Sequence, residues 1–542
     1  MVSSSALLSG LLIKRLDHLG LVAGICKELK IAETIDAIIP KSQDCHVTHG
    51  QALVAMILNG LGFHSRTLHL FPAFFKQKPT ERLIGNDIEP QHLNDDVIGR
   101  ALDAFYNEGV SALYQHLSAK VIQHLKLKSD AIHIDITSFH VDGKYEFAED
   151  DDTDRISLVK GYSRDHRPDL NQVVLELICE NRAGIPVYMQ ALSGNTNDGK
   201  AFAEVTKHHI RCLKAAQQSR YFVGDAALYT PQSLQALHQQ KQLFVTRVPA
   251  TLKAAKACIS QFAQEDIIQL ENGYSGYWSC NEHADVPQKW LVLGSEKAKQ
   301  KELKTLDKRL LKSTQKEYKA FQTLCQQGFA CKVDAQKALE RFKKTVKLTE
   351  LSMTGYDCQA VYKGKGRPKK GAEPDSYTYY LKGHIATSLE QVKKLKDELG
   401  IFIISTNDLS DKLEMTELLN IYKSQQSVER GFRFLKSPEF LTSSIFLKKP
   451  ERIEALLMVM TCCLMIYAAL EYQIRQRLKE KQQYFPDTKK KPYQRPTARW
   501  VLCCFEGIYE LTTDTETVIQ NIDERQRIII NILGLDCQQI YS

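Results

Sequence analysis

Cysteines spaced to hold zinc or to carry out dithiol chemistry are missing from this sequence. Its 14 cysteines are scattered over 542 residues, with adjacent pairs at Cys462 and Cys463 and at Cys503 and Cys504, and no two form a Cys-x-x-Cys arrangement. The absence argues against a zinc module and a disulfide scaffold. We expect reduced thiols, as in a cytoplasm.

The sequence also lacks an apolar run long enough to span a bilayer. Residues Ala455 to Leu470 include no charged side chain, but their 16 positions fall short of the roughly 20 that a membrane helix needs. A buried helix is the better prediction, although a membrane-associated protein remains an alternative. Residues 6–13 are apolar and precede Lys14 and Arg15, whereas a secretory signal has its positive charge first. We therefore expect neither export nor a membrane partner.

Charge of one sign is only slightly in excess. Lysines and arginines outnumber acids by 72 to 64, a formal net charge of +8, which fits a polyanionic partner without requiring one. Hydrophobic residues make up 43% and charged residues 25%, as in ordinary globular proteins. The length exceeds what one core supports and predicts three or four domains.

The first 125 residues are predicted to be helical. Thr48 and Gln51 have the spacing of a capping box, and Asn94 is a candidate cap for a helix through Phe105. Short helices suit a DNA-recognition module and a plain helical domain equally well.

From Ala131 the pattern changes to period two, which predicts a strand. Asp135 lies on the face opposite Ile134 and Ile136. A buried carboxylate needs a partner, and a divalent metal would provide one. Further strands are predicted at residues 156–162, 170–180 and 184–192, and helices at residues 198–216 and 231–240, with a strand at residues 243–248.

Asp225 follows the short strand Tyr221 to Val223. Side chains just past a strand often meet ligands in open sheets, although an isolated Asp there is more often a cap or turn residue. The 204 residues between Asp225 and Glu429 predict an insertion of strands, a lysine-rich helical hairpin and a basic linker, Lys363 to Gly371. That linker resembles a minor-groove AT-hook or is a flexible basic hinge.

A helix is predicted from about Asp411 to Lys436. At 3.6 residues per turn, one charged and polar face collects a set of five side chains: Tyr422, Gln425, Glu429, Arg433 and Lys436. An apolar stripe beside it is expected to pack against the protein. The face is suited to an anion. An ordinary surface helix remains the alternative.

Tyr422, Glu429 and Lys436, each seven positions apart, resemble the Tyr-Arg-Glu-Lys signature of DDE transposases of the insertion-sequence-four superfamily. The motifs around Tyr162 and Asn195 are similar to stretches of the same family. Position 425 is Gln where the family has Arg.

The resemblance implies an α/β fold: a ribonuclease H-like catalytic core interrupted by a β-plus-helical insertion, with a helical N-terminal DNA-binding domain and a helical C-terminal region. The implied divisions are residues 1–125 for DNA-end binding, 126–250 and 386–480 for the core, 251–385 for the insertion and 481–542 for the C-terminal tail.

The resemblance also implies site residues. Asp135, Asp225 and Glu429 would be catalytic and bind two Mg²⁺ ions, with Mn²⁺ as a substitute. The DNA contacts would come from Tyr422, Lys436, Arg433, Gln425, Arg164 and Arg167.

The implied function is cut-and-paste transposition: metal-dependent cleavage of double-stranded DNA at terminal inverted repeats, then strand transfer into target DNA. The protein would act as a homodimer on DNA, in the bacterial cytoplasm and on the nucleoid when bound. The alternatives are a catalytically inactive relative that binds DNA as a repressor or domesticated protein, and a ribonuclease H-like nuclease or resolvase.

Overall fold

The structure is a computed structural model that describes most of the chain. The described residues are 11–41, 45–63, 67–141, 155–161, 167–196, 220–363, 373–425, 431, 434–436 and 447–542. The helix expected at residues 198–216 and most of the basic linker lie outside them. Three predicted site residues, Arg164, Glu429 and Arg433, also lie outside them.

The N-terminal region is helical, as its sequence predicts. Its α-helices are Leu19–Glu28, Ile31–Ile38, His49–Gly60, Phe71–Phe75, Thr80–Ile84, Asp95–Glu108 and Val110–His124, with 3-10 turns at Leu68–Leu70 and Pro90–His92. The capping box is confirmed, because the Thr48 hydroxyl accepts from the Gln51 N–H at 3.0 Å and the Gln51 side chain accepts from the Thr48 N–H at 2.9 Å. Asn94 caps the sixth of these helices, accepting from the Val97 N–H at 3.0 Å.

The strands are numbered in chain order. They are β1 Leu12–Arg15, β2 Ala131–Val141, β3 Asn171–Glu180, β4 Pro186–Ser193, β5 Tyr221–Gly224, β6 Leu243–Arg247, β7 Ile268–Leu270, β8 Tyr274–His283, β9 Val286–Ser295, β10 Thr349–Val361, β11 Ser376–Thr387, β12 Ile401–Thr406, β13 Phe485–Pro486, β14 Pro492–Tyr493, β15 Tyr509–Thr512 and β16 Thr517–Gln520. Nine of them form one mixed sheet in the order β4-β3-β2-β5-β6-β12-β9-β8-β7.

Strand direction changes across this large sheet. β3 is antiparallel to both β2 and β4. β2, β5 and β6 run parallel to one another, and β12 is antiparallel to both β6 and β9. The predicted strands here are confirmed, except the one expected at residues 156–162. In the described part of that segment only Val159 pairs, in an isolated bridge to Gln172.

Helices cover the sheet and its connections. They are Pro231–Gln239, Lys253–Gln261 and Met415–Lys423, with 3-10 turns at Ala226–Leu228, Phe262–Gln264 and Glu271–Gly273. Both faces of β2 are mostly buried, and most side chains of β3 are buried as well.

Residues 296–399 leave the large sheet after β9 and return at β12, the neighbouring strand. We call this segment the arm. It holds the helices Glu296–Gln326, Lys332–Lys343 and Leu389–Asp397 and the β10–β11 hairpin. The Ser295 N–H donates to the Gly400 carbonyl at 2.9 Å and closes the neck of the arm. The insertion was expected to begin at residue 251, but β7, β8 and β9 extend the large sheet. The five domain divisions stay predictions.

The long helix Pro450–Glu480, here called the core helix, packs against the N-terminal helices. Arg452 forms an ion pair with Asp103 at 2.7 Å, and Arg477 pairs with Glu28. The helix is long and apolar enough to cross a membrane, yet 89% of its apolar window is buried inside the protein. This confirms the prediction of a buried helix over residues 455–470.

The C-terminal region joins the same core. Its helices are Ala498–Cys503, Glu524–Leu533 and Leu535–Ile540. The C-terminal region, expected to be helical, also contains strands, because the chain becomes β15 at Tyr509 and pairs with β1 and β16. The Tyr541 hydroxyl donates to the Asp17 carbonyl at 2.6 Å. The last residues are therefore packed against the first helix.

Candidate active site on one face of the large sheet

Asp135 lies in the middle of β2, where the period-two pattern predicts it. Its side chain is half-buried, and one carboxylate oxygen accepts from the Ile136 N–H at 2.8 Å. Three other residues on this face of β2, His133, Thr137 and Phe139, are buried. We call this side of the sheet the site face.

Asp225 is the first residue beyond β5. Its carboxylate accepts from the Ala227 N–H at 2.9 Å and caps a single 3-10 turn. Its own carbonyl accepts from the hydroxyl of Thr246, a buried residue of β6, at 2.7 Å. Asp225 is thus a capping residue, which was the alternative interpretation of its sequence position. Its backbone is also hydrogen-bonded to β6 through Thr246.

The strand register brings the two carboxylates together. β2 and β5 are parallel, with His133 opposite Val223. Asp135 lies two residues after His133 on β2, and Asp225 lies two residues after Val223, just past the end of β5. Neighbouring strands are about 4.8 Å apart, and successive positions two apart share a face. The register therefore predicts that Asp135 and Asp225 occupy neighbouring positions on the site face.

Such a pair of carboxylates suits a hard cation. Carboxylate oxygens are the ligands that Mg²⁺ and Mn²⁺ prefer. Among the described residues there is no group of three or more His, Cys, Asp or Glu side chains arranged to hold a metal. The third predicted ligand, Glu429, lies outside them.

His133 is a site residue that the sequence analysis did not identify. It is fully buried two residues before Asp135, and burial lowers its pKa to about 3, so it is neutral. Its Nε2 lies 2.8 Å from the Ser424 hydroxyl, which donates its own proton to the Ile421 carbonyl at 2.6 Å. His133 Nε2 must therefore be the donor. The signal in the sequence was a polar ring on the same face as Asp135.

The helix expected through Lys436 ends earlier than predicted. The described helix is Met415–Lys423, with Ser424 as its C-cap. Gln425 lies in the turn that follows, and its backbone N–H donates to the Tyr422 carbonyl at 3.2 Å. The Ser424 hydroxyl bonds that tie this end to β2 favour the stop. The prediction of one continuous helical face from Tyr422 to Lys436 is therefore wrong at Ser424 and Gln425.

The chain beyond this turn returns to the site face. The Lys436 ammonium lies 5.7 Å from the centre of the Phe139 ring, four residues after Asp135 on β2. Gly431 lies against Leu464, and the Phe434 ring is 4.0 Å from that of Tyr467. This part of the chain therefore lies between β2 and the core helix.

The remaining described candidates differ in exposure. Tyr422 is half-buried and packs against an apolar cluster that includes Val223 and Leu418. Gln425 is only 6% exposed. Arg167 is exposed in the turn before β3 and forms a bidentate pair with Asp169, 2.8 Å at its shorter contact. This hydrogen-bonded pair lowers the pKa of Asp169 to about 2. The DNA-contact roles stay predictions.

Comparison with known families gives the class of the protein. Residues 126–466 match the model of the transposase DDE domain, and residues 11–119 match a domain of unknown function, DUF4277. The first match covers more than half of the chain. The chain belongs to the DDE-domain transposase family.

Structural comparison adds little to this assignment. A piggyBac transposase in a synaptic complex with hairpin DNA, solved by cryo-electron microscopy, aligns with 90% of this chain and 79% of its own, at 8% identity and a TM-score of 0.37. A similarity this low supports no detail of the site. No curated protein matches the sequence.

Proposed function

We propose that this protein cuts double-stranded DNA at the terminal inverted repeats of its own insertion sequence and joins the freed ends to target DNA. Family membership supports transposition as the general function. The positions of Asp135 and Asp225 support the chemistry, since the register of β2 and β5 predicts neighbouring positions for them on the site face.

The fold of the catalytic region is proposed to be ribonuclease H-like. Five adjacent strands support this, because β4, β3 and β2 are antiparallel and β5 and β6 then run parallel to β2. The spacing of Tyr422, Glu429 and Lys436 supports membership of the insertion-sequence-four superfamily.

One observation carries the proposal most directly. Ser424 and Lys436, which flank position 429, both contact the site face of β2, through His133 and Phe139. On β2, Asp135 lies between His133 and Phe139. The described ends of the segment that carries Glu429 therefore contact β2 on either side of Asp135, which supports Glu429 as the third acid.

Asp135, Asp225 and Glu429 would hold two Mg²⁺ ions, or Mn²⁺ in their place. When bound, such a pair of ions activates water or a DNA 3′-hydroxyl and stabilises the departing oxygen. Tyr422 and Lys436 would orient the phosphodiester, with further backbone contacts from Gln425, Arg433, Arg164 and Arg167. His133 holds the Ser424 turn, and so positions the segment that follows it. A homodimer that pairs two DNA ends is part of this proposal.

The test is cleavage by the full-length chain of a DNA fragment that ends in the inverted repeats flanking its reading frame. With Mg²⁺ present, we expect cut ends, and transfer of the 3′ ends into a second DNA. Glu429→Gln should abolish both, whereas Asp130→Asn, which changes an exposed carboxylate just before β2, should not. Binding without cutting would instead identify an inactive DNA-binding relative, and cutting without transfer would identify a nuclease or resolvase.

A further inference from the structure

The longest helix of the arm, Glu296–Gln326, has an unusual distribution of charge. Residues 296–347 hold 15 lysines and arginines and six acids, although the net charge of the whole chain is only +8. The rest of the protein is therefore close to neutral. The cationic character of the chain is concentrated in the two adjoining helices of the arm.

Six lysines of the long helix lie on one side of it. At 100° per residue they fall within an arc of about 80°. They are Lys297, Lys301, Lys304, Lys308, Lys312 and Lys319, each exposed. We call this set the lysine stripe. It runs for about 33 Å, the length of about ten base pairs of duplex DNA at 3.4 Å per pair.

Two of the four acids of the same helix are hydrogen-bonded away from the stripe. The Glu302 carboxylate accepts from the Gly400 N–H at 2.8 Å at the neck of the arm. Glu317 accepts from the Thr349 hydroxyl at 2.7 Å at the base of β10. Within the described part of the chain, no ion pair joins a stripe lysine to an acid.

The arrangement works against the stability of the isolated helix. Lys304 and Lys308 are four residues apart, as are Lys308 and Lys312, and like charges at this spacing repel each other. A solvated surface helix usually mixes both signs of charge. The opposite face of the helix is occupied by the buried Leu306 and Phe321, so the stripe faces away from the protein.

The strand order places the stripe near the candidate site. β12 runs antiparallel to β6 and β9 runs antiparallel to β12, so β9 ends at the same edge of the sheet at which β5 ends and Asp225 follows. The neck of the arm at Ser295 is three strand spacings from β5, about 15 Å sideways. The stripe begins two residues beyond that neck.

We propose that the lysine stripe binds the phosphate backbone of double-stranded DNA and holds the duplex beside the catalytic carboxylates. The choice of DNA as the partner rests on the proposed transposase function. The contact is electrostatic and independent of base sequence, because lysines positioned along one helix face neutralise phosphates without reading base edges.

The test compares two variants of the full-length protein with equal changes in charge. The first replaces three stripe residues, Lys304→Gln, Lys308→Gln and Lys312→Gln. The matched control replaces Lys489→Gln, Lys490→Gln and Lys491→Gln, which are exposed in the turn between β13 and β14. Affinity for a 30-bp duplex of arbitrary sequence is measured at a series of salt concentrations.

Each lost phosphate contact should reduce the slope of log affinity against log salt by about 0.9. We expect the stripe variant to lose about 2.7 from the slope and to bind at least about tenfold more weakly at low salt. The control should keep the wild-type slope. Arginine at the three stripe positions should restore the wild-type slope. Equal helix content of the stripe variant and wild type by circular dichroism would show that the arm is folded.

Equal slopes for the stripe and control variants would overturn the inference, as would a wild-type chain that does not bind the duplex. Cleavage of inverted-repeat DNA is scored separately with wild-type protein. If wild type cuts and the two variants bind alike, the stripe assignment fails and the proposed function stands. If the stripe controls binding but no cutting occurs, the proposed function fails and the stripe assignment stands.

Discussion

In the large sheet, both faces of β2 are covered by the rest of the protein, whereas the arm has a small apolar cluster of its own. That cluster consists of the five buried side chains Phe321, Phe329, Ala335, Leu339 and Leu381. The sheet shares a large core with the N-terminal helices, the core helix and the C-terminal helices, and a second buried cluster packs β5, β6, β9 and β12 against the helix Met415–Lys423. The arm joins this body at a single neck.

The difference separates two tasks. Carboxylates that share metal ions must be held to within fractions of an ångström, and on the proposed mechanism the register of β2 and β5 would provide this for Asp135 and Asp225. A surface that attracts a polyanion needs only many exposed cations, which a helix with few buried residues provides. On these proposals, the large sheet positions the carboxylates, and the lysines of the arm attract the DNA.

The largest expected effect is a difference in how far unfolding spreads. Phe222→Ala removes a fully buried ring from β5 and should cost about 3–5 kcal/mol of global stability. Leu339→Ala should cost about 2–5 kcal/mol, but only within the arm. Native-state hydrogen exchange measures both. Loss of protection in β2 caused by Leu339→Ala would mean that the arm and the body fold as one unit.

The second prediction concerns acid. His18 is buried against the Leu61 carbonyl, and desolvation lowers its pKa to about 4 from 6.5. The unfolded chain therefore takes up this proton first as the pH falls. The free energy of unfolding is therefore highest above pH 6.5, where His18 is neutral in both states. It falls by up to about 3 kcal/mol as the pH is lowered towards 4.

His18→Gln should flatten the dependence of the free energy of unfolding on pH in that window, as measured by urea unfolding. The arm has one histidine, the exposed His384, and its local stability should not share the dependence. An unchanged pH dependence in the His18 variant would contradict the buried neutral state.

The third prediction concerns the turn beside the site. Ser424→Ala leaves the buried His133 Nε2–H without its acceptor, at a cost of about 1–3 kcal/mol. DNA cleavage should slow as well, because the turn precedes the segment that carries Glu429. Ser424→Thr keeps the hydroxyl and should restore both stability and cleavage. If alanine cleaves DNA as fast as wild type, the turn does not position the site.

The smallest expected effect belongs to Lys436. Lys436→Met keeps an unbranched side chain of similar length and removes the charge, so stability should stay within about 0.5 kcal/mol of wild type. Affinity for a DNA end should fall about tenfold, about 1.4 kcal/mol. The comparison with Lys436→Arg, which keeps the charge, isolates the electrostatic part. Equal binding by all three proteins would remove Lys436 from the DNA contacts.

The strands that carry the two acids could be predicted from sequence because their patterns are local. The alternation around Asp135 and the short apolar run before Asp225 each need fewer than ten residues. The capping box at Thr48 is local in the same way. Local patterns are read directly from side-chain period and cap chemistry.

The sequence did not predict the pairings between distant segments. β1 pairs with β15 although nearly 500 residues separate Arg15 from Tyr509, and β9 joins β12 across the whole arm. The end of the helix at Ser424 depends on His133, a residue of another strand. Such contacts are set by tertiary packing, which period and propensity do not encode.

The central claim, that Asp135, Asp225 and Glu429 share metal ions, is tested most directly by metal rescue. Each acid is replaced in turn by cysteine, and cleavage of inverted-repeat DNA is measured with Mg²⁺ and with Mn²⁺, which accepts a thiolate ligand more readily. We predict that all three variants are inactive with Mg²⁺ and regain activity with Mn²⁺, while Asp130→Cys is active with both. Full activity of Glu429→Cys with Mg²⁺ would contradict the account.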